Sequence, residues 1–172
     1  MKGTIMFDGV CRILLVSTGF ACLCLSHSHA TNTQVNEEGA VSSNRPGGLG
    51  FSKRSYTYKV VGDCKIEADV YRTPDDNVSP AILWIHGGAL ILGNREGLPR
   101  QQLERYVQAG YAVVSIDDRL APEVKIKSII EDLQDAYKWV RQRGPELFRI
   151  DPDRIAVIGH SAGGYVPGLP NY

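Results

Sequence analysis

The sequence predicts an α/β fold with a mostly parallel sheet flanked by helices. Three runs, Ala81–Ile85 (AILWI), Ala112–Ile116 (AVVSI) and Ile155–Ile158 (IAVI), are apolar at nearly every position. Strands without a polar face need cover on both sides, as at the centre of a parallel sheet. Helical periodicity fills the intervals between them, and alternating strands and helices imply that architecture. Each run also leads straight into a motif of glycines or charged residues, at the strand ends where open α/β sheets bind ligands.

Residues 1–30 read as a signal peptide. Lys2 and Arg12 are basic, Ile13–Leu25 (ILLVSTGFACLCL) is apolar, and Ser28-His29-Ala30 offers small residues for cleavage after Ala30. Secretion or export to a periplasm is the expectation, with an uncleaved N-terminal membrane anchor as the alternative. The apolar run falls short of the roughly 20 residues a spanning helix needs, so no stable membrane span is expected. Cleavage would remove Cys11, Cys22 and Cys24 and leave Cys64, expected as a lone thiol beside a hairpin. Residues 31–54 (TNTQVNEEGAVSSNRPGGLG and the four that follow) are polar and rich in Gly, Ser and Asn, and read as a flexible linker.

The domain is expected over 55–172. Tyr56–Val61 and Ile66–Tyr71 predict a hairpin closed by Gly62-Asp63. Ile66, Ala68 and Val70 alternate with Glu67, Asp69 and Tyr71, which predicts an antiparallel edge with one buried face. Leu98–Ala109 predicts a helix stopped by Gly110. Lys125–Arg143 predicts a second, with Ile126, Ile129, Ile130, Leu133, Ala136, Tyr137 and Val140 as its apolar stripe. Glu131, Asp132, Asp135, Lys138 and Arg141 are expected on its solvated face, and Gly144-Pro145 as its end.

The motifs carry the chemistry. Gly159-His160-Ser161-Ala162-Gly163-Gly164 follows IAVI. A strand that turns abruptly into a helix there would expose the Ser161 hydroxyl, with glycines where side chains would clash. His86-Gly87-Gly88-Ala89 follows AILWI. Adjacent glycines leave backbone N–H groups free to receive an oxyanion, so Gly87, Gly88 and Ala162 are the candidate donors. His86 is expected to orient that loop rather than act as a base. Asp117-Asp118-Arg119-Leu120-Ala121-Pro122-Glu123 follows AVVSI and reads as scaffold. An Arg119–Glu123 pair is expected to clamp it, and neither aspartate has an evident histidine to orient.

HGGA at 86–89, DDRLAPE at 117–123 and DPDRIAVIGHSAGG at 151–164 together resemble the esterase/lipase branch of the α/β-hydrolase superfamily. That branch includes hormone-sensitive-lipase-like and acetylxylan or feruloyl-type esterases. The resemblance spans roughly Tyr56 to Tyr165. It implies Ser161 as nucleophile, Gly87, Gly88 and Ala162 as the oxyanion hole, and no cofactor or metal. Ala89 stands where many members have a third glycine, and Asp118 where they usually have tyrosine.

In that family an acid and then a histidine follow the serine in chain order. Neither follows Ser161 in this sequence, and Val166-Pro167-Gly168-Leu169-Pro170 should break the helix after about one turn. The expectation is therefore the N-terminal part of the fold. The chemistry implied is hydrolysis of a carboxylic ester, on a small molecule or a polysaccharide, through an acyl-enzyme. The chain alone is expected to be inactive. A peptidase of the same fold and a non-catalytic binding module are the alternatives. A formal net charge of zero without a basic stripe argues against a nucleic-acid partner.

Overall fold

A computed structural model describes residues 38–42 and 50–165. The expected signal peptide and the stretch beyond Tyr165 lie outside the described residues. The elements are β1 (Glu38–Ser42), β2 (Ser52–Val61), β3 (Cys64–Arg72), β4 (Ser79–Ile85), α1 (Arg100–Gln108), β5 (Ala112–Ile116), α2 (Ile126–Phe148) and β6 (Ile150–Gly159). Short 3-10 turns occupy Arg95–Gly97 and Ser161–Tyr165.

The six strands form one mixed sheet in the order β1-β2-β3-β5-β4-β6. The parallel half is β5, β4 and β6, the three runs read as apolar on both faces. The hairpin β2–β3 joins it antiparallel, through β3 and β5. Two boundaries differ from expectation. Glu38–Ser42 pairs with β2 inside the stretch read as a linker, and β2 itself begins at Ser52. Cys64 is disulfide-bonded rather than a lone thiol.

Alternation along the central strands divides the core. Leu83 and Ile85 join Val114, Ile116, Leu133, Ala136 and Val140 on the α2 face. Ile82 and Trp84 join Val113, Leu103 and Val107 on the α1 face. Each such aliphatic side chain withdrawn from water contributes about 1.5–3 kcal/mol, which is why residues of both parities in β4 and β5 are apolar. In β3 the second face is covered too: Asp69 and Tyr71 are buried. The period-two pattern was read as an edge, but β3 lies inside the sheet between β2 and β5.

Helix α2 runs through Gly144-Pro145, where an end was expected, to Phe148, and Arg149 closes it in the left-handed conformation. Pro145 forgoes one backbone hydrogen bond. The extra turn seats Phe148 against Tyr56 and Trp139, with ring centroids 5.9 and 5.6 Å apart. Gly144 allows it, since a Cβ there would meet Ile150 Cδ1 at 2.7 Å.

Register decides where the motifs meet. Ile85 lies opposite Ile116 on one side and Gly159 on the other. Three strands therefore end at one level, and His86, Asp117 and His160 leave the sheet side by side.

Candidate active site

Ser161 sits at the apex of the turn after β6. Its φ is 52°, in the left-handed region that costs a non-glycine residue roughly 1–2 kcal/mol. Its side chain is exposed. The turn is pinned on both sides: the His160 N–H donates to Ile85 O at 3.0 Å, and the Gly163 N–H to His160 O at 3.0 Å. The glycine expectation holds in detail. A Cβ on Gly159 would stand 2.5 Å from Gly164 N, and one on Gly163 would stand 2.5 Å from His86 O and 2.9 Å from Ile85 Cγ2. The following helix is a 3-10 turn over the described residues, not an α-helix.

The loop after β4 closes on this turn. A Cβ on Gly87 would stand 3.2 Å from Ser161 Cβ and 2.7 Å from His160 Nδ1, so the two glycine motifs are in contact. Gly88 has φ 118°, and its carbonyl accepts from the N–H groups of Ile91 and Leu92 at 3.0 and 3.1 Å. Ala89 and Leu90 follow with φ of 54° and 65°, which explains why a third glycine would suit position 89. Among the described residues, no carbonyl accepts from the backbone N–H of Gly87, Gly88 or Ala162. The structure thus brings all four candidate residues, Ser161, Gly87, Gly88 and Ala162, to one place.

The aspartates differ from the sequence reading. Asp118 Oδ1 lies 3.0 Å from His86 Nε2, with both side chains nearly fully buried. An evident histidine partner exists after all, on a neighbouring strand end. His86 Nδ1 lies 2.8 Å from the carbonyl of Gly87, while Nε2 stands beside the Asp118 carboxylate without a hydrogen bond of good geometry. Burial alone would lower the His86 pKa, but the hydrogen bond and charge of Asp118, the Gly87 carbonyl and Asp117 raise it instead.

Asp117 belongs to a second cluster. Its Oδ1 accepts from the Arg95 N–H at 2.7 Å, and its Oδ2 pairs with the Arg95 guanidinium. The same guanidinium reaches Glu67 at 2.8 Å and Asp69 at 3.1 Å. Burial pushes the Asp117 carboxyl up, against the pull of the Arg95 amide and guanidinium. Arg95 thereby ties the far end of the glycine loop to β3 and β5.

Arg119 pairs with Asp132 at 2.7 Å, not with Glu123. Asp132 was placed on the solvated face of α2, yet it is fully buried. It also accepts from the Arg119 N–H at 3.1 Å and meets Lys59 Nζ at 2.7 Å. Tyr58 adds a hydrogen bond to Asp117 O at 2.6 Å, and burial, then Asp132, raise its pKa well above the ordinary value. No sequence signal distinguished Asp132 from exposed Glu131 or half-buried Asp135, which also meets Lys59 at 2.7 Å; the pairing with Arg119 does.

The chain is similar to known proteins in both sequence and fold. The BD-FAE family profile matches residues 68–170. The non-reducing polyketide synthase atr1 of Stereocaulon alpinum is 36% identical over 119 residues, which are 63% of this chain and 5% of that protein. Esterase LipI of Mycobacterium tuberculosis is 39% identical over 96 residues, 56% of this chain and 30% of LipI. Among solved structures, a bacterial heroin esterase superposes with a TM-score of 0.60 at 33% identity, covering 66% of this chain and 36% of that one. The chain thus spans well under half the length of each of these proteins. The resemblance read from the three motifs is met by both the sequence relatives and the fold.

Proposed function

This chain belongs to the BD-FAE family, in the esterase branch of the α/β-hydrolases, and from that premise we propose that it carries the nucleophile and oxyanion cradle of a serine ester hydrolase. Carboxylic ester hydrolysis is the chemistry of that branch. In the proposed reaction Ser161 Oγ attacks the ester carbonyl carbon. The N–H groups of Gly87, Gly88 and Ala162 receive the oxygen of the tetrahedral intermediate. The alcohol leaves, and water then releases the acid from Ser161. Each such donor is worth roughly 3–4 kcal/mol by deletion.

The observation that carries the reading is the contact between Gly87 and Ser161, with Ser161 held at φ 52°. A strained, exposed serine beside backbone N–H groups that no carbonyl takes up among the described residues fits nucleophilic acyl transfer better than an ordinary glycine loop.

Turnover also needs a base for the serine proton. Among the described residues His86 is committed to Asp118 and to Gly87 O. The substrate proposed is a carboxylic ester, small or polysaccharide-linked. Export is proposed from residues 1–30, and N-terminal sequencing of secreted protein checks it: Thr31 at the terminus supports export, an intact Met1 on a cytosolic product sinks it.

A fluorophosphonate probe tests the site. With imidazole added to accept the serine proton, Ser161 Oγ would displace fluoride from phosphorus, leaving a covalent adduct on the peptide that contains Ser161. Labelling that Ser161→Ala removes supports the reading. Labelling that persists in Ser161→Ala, or none with the folded chain, overturns it.

A further inference from the structure

We infer that Asp118 is a positioning residue for the oxyanion cradle: through His86 it fixes the Gly87–Gly88 peptide, and so the direction of the Gly88 N–H. The inference rests on the reading of Gly88 as an oxyanion donor.

The geometry follows from what each ring nitrogen meets. His86 Nε2 faces a carboxylate oxygen at 3.0 Å, and Nδ1 faces the Gly87 carbonyl at 2.8 Å. The Gly87 carbonyl only accepts, so Nδ1 donates to it; Nε2 is off line for a hydrogen bond to Asp118, but a bare Nε2 would set its lone pair beside the carboxylate charge, so the ring carries both protons. In a trans peptide the C=O and the following N–H point in opposite directions. Drawing the Gly87 oxygen to His86 therefore turns the Gly88 N–H away from the ring. Gly93 makes room for the contact, since a Cβ there would stand 2.5 Å from His86 Nδ1.

Asp118 decides which proton His86 releases. A bare Nε2 would present a lone pair to the carboxylate, whereas a bare Nδ1 faces only a carbonyl. Asp118 thus retains the Nε2 proton, and deprotonation strikes Nδ1. The Gly87 carbonyl then loses its donor, and the Gly88 peptide is free to rotate.

Other charges facing the ring act in the same sense or are screened. Asp117 adds negative charge but is paired with Arg95. Tyr58 approaches from β2 through its bond to Asp117 O. His160 lies on the Gly87 side of the loop. From α2, Ile129 and Leu133 line the small void that His86 and Asp118 also border. Burial opposes the charged ring, yet Asp118, the Gly87 carbonyl and Asp117 outweigh it.

The test is a pH titration of the full chain by NMR, following the His86 ring nitrogens and the Gly88 amide, with no substrate present. The expected result is a shared midpoint above the usual histidine range, with a neutral ring that keeps its proton on Nε2. In Asp118→Asn the shared midpoint moves to lower pH. A neutral ring protonated on Nδ1, a Gly88 amide that ignores the His86 transition, or an unmoved midpoint in Asp118→Asn overturns the inference. Should that variant not fold, the tautomer and the Gly88 response of the parent chain still decide it. Failure of the ester reading would show separately, as absent probe labelling at Ser161.

Discussion

Gly87 and Ser161 touch: a Cβ on Gly87 would stand 3.2 Å from Ser161 Cβ. They are far apart in sequence and lie on different strand ends, so this contact is where two motifs become one site. Gly87→Ala must push the His160 side chain and carbonyl, which lie 2.7 and 2.9 Å from the added carbon. The loop then moves relative to the serine, and a displacement of about 1 Å at a reacting centre costs roughly 10²-fold. The expected outcome is a comparable fall in fluorophosphonate labelling rate with an unchanged far-ultraviolet circular dichroism spectrum.

Ser161 is held in a backbone conformation that suits glycine. Ser161→Gly relieves roughly 1–2 kcal/mol of left-handed cost, and the greater chain entropy of glycine returns about 0.5–1 kcal/mol of it. A net gain of about 1 kcal/mol or less is expected in urea unfolding, together with complete loss of labelling. Ala89→Gly, at φ 54°, should gain similarly and keep its label. A destabilised Ala89→Gly would show that the Ala89 methyl contributes more than its strain.

Asp132 is the buried anion that Lys59 and Arg119 share. Asp132→Ala strands Arg119, whose side chain retains 14% exposure, and leaves Lys59 paired with Asp135 alone. The expected cost is therefore near the low end for a broken buried pair, about 3 kcal/mol. Glu131→Ala, one residue away and exposed, should change the urea midpoint by no more than a surface pair does, about 0–1 kcal/mol. Equal effects from the two substitutions would show that the buried network is not a stability determinant.

The His86–Asp118 pair gives stability a direction in pH. The folded His86 pKa is raised, by Asp118 and the Gly87 carbonyl against burial. Its contribution is fully present below the unfolded value of about 6.5 and is lost as the pH rises through the folded value. Urea midpoints should therefore fall as the pH rises from about 6.5 through the folded value, and fall less in Asp118→Asn. That window lies above the carboxylate range and below the ionisation of Tyr58, whose pKa is raised further by burial. A parent chain whose stability is flat across it would contradict a charged His86.

Much of the fold was legible because it follows from local chemistry. AILWI, AVVSI and IAVI are apolar at both parities, which suits a doubly covered strand; β4 and β5 are such strands, whereas in β6, last in the sheet order, Ala156 is exposed and Val157 and Ile158 are half-buried. The stripe of α2 from Ile129 to Val140 and the glycines flanking Ser161 were readable for the same reason, since each residue's constraint comes from its own neighbours in the chain. Pro145 misled because its local cost is real, but the seating of Phe148 against Tyr56 and Trp139 outweighs it.

The sequence by itself determined the central strands, the helices and the sharp turn that exposes Ser161 among its glycines, all of which depend on short-range sterics and periodicity. Tertiary structure decided which charges are partners. His86 and Asp118 belong to separate motifs, and only the level ends of β4 and β5, set by Ile85 opposite Ile116, bring them to 3.0 Å. Asp132 reads like any exposed carboxylate until Lys59 and Arg119 cross over α2 to meet it. Charge pairing depends on distance through space, which sheet register and helix packing fix and linear spacing does not encode.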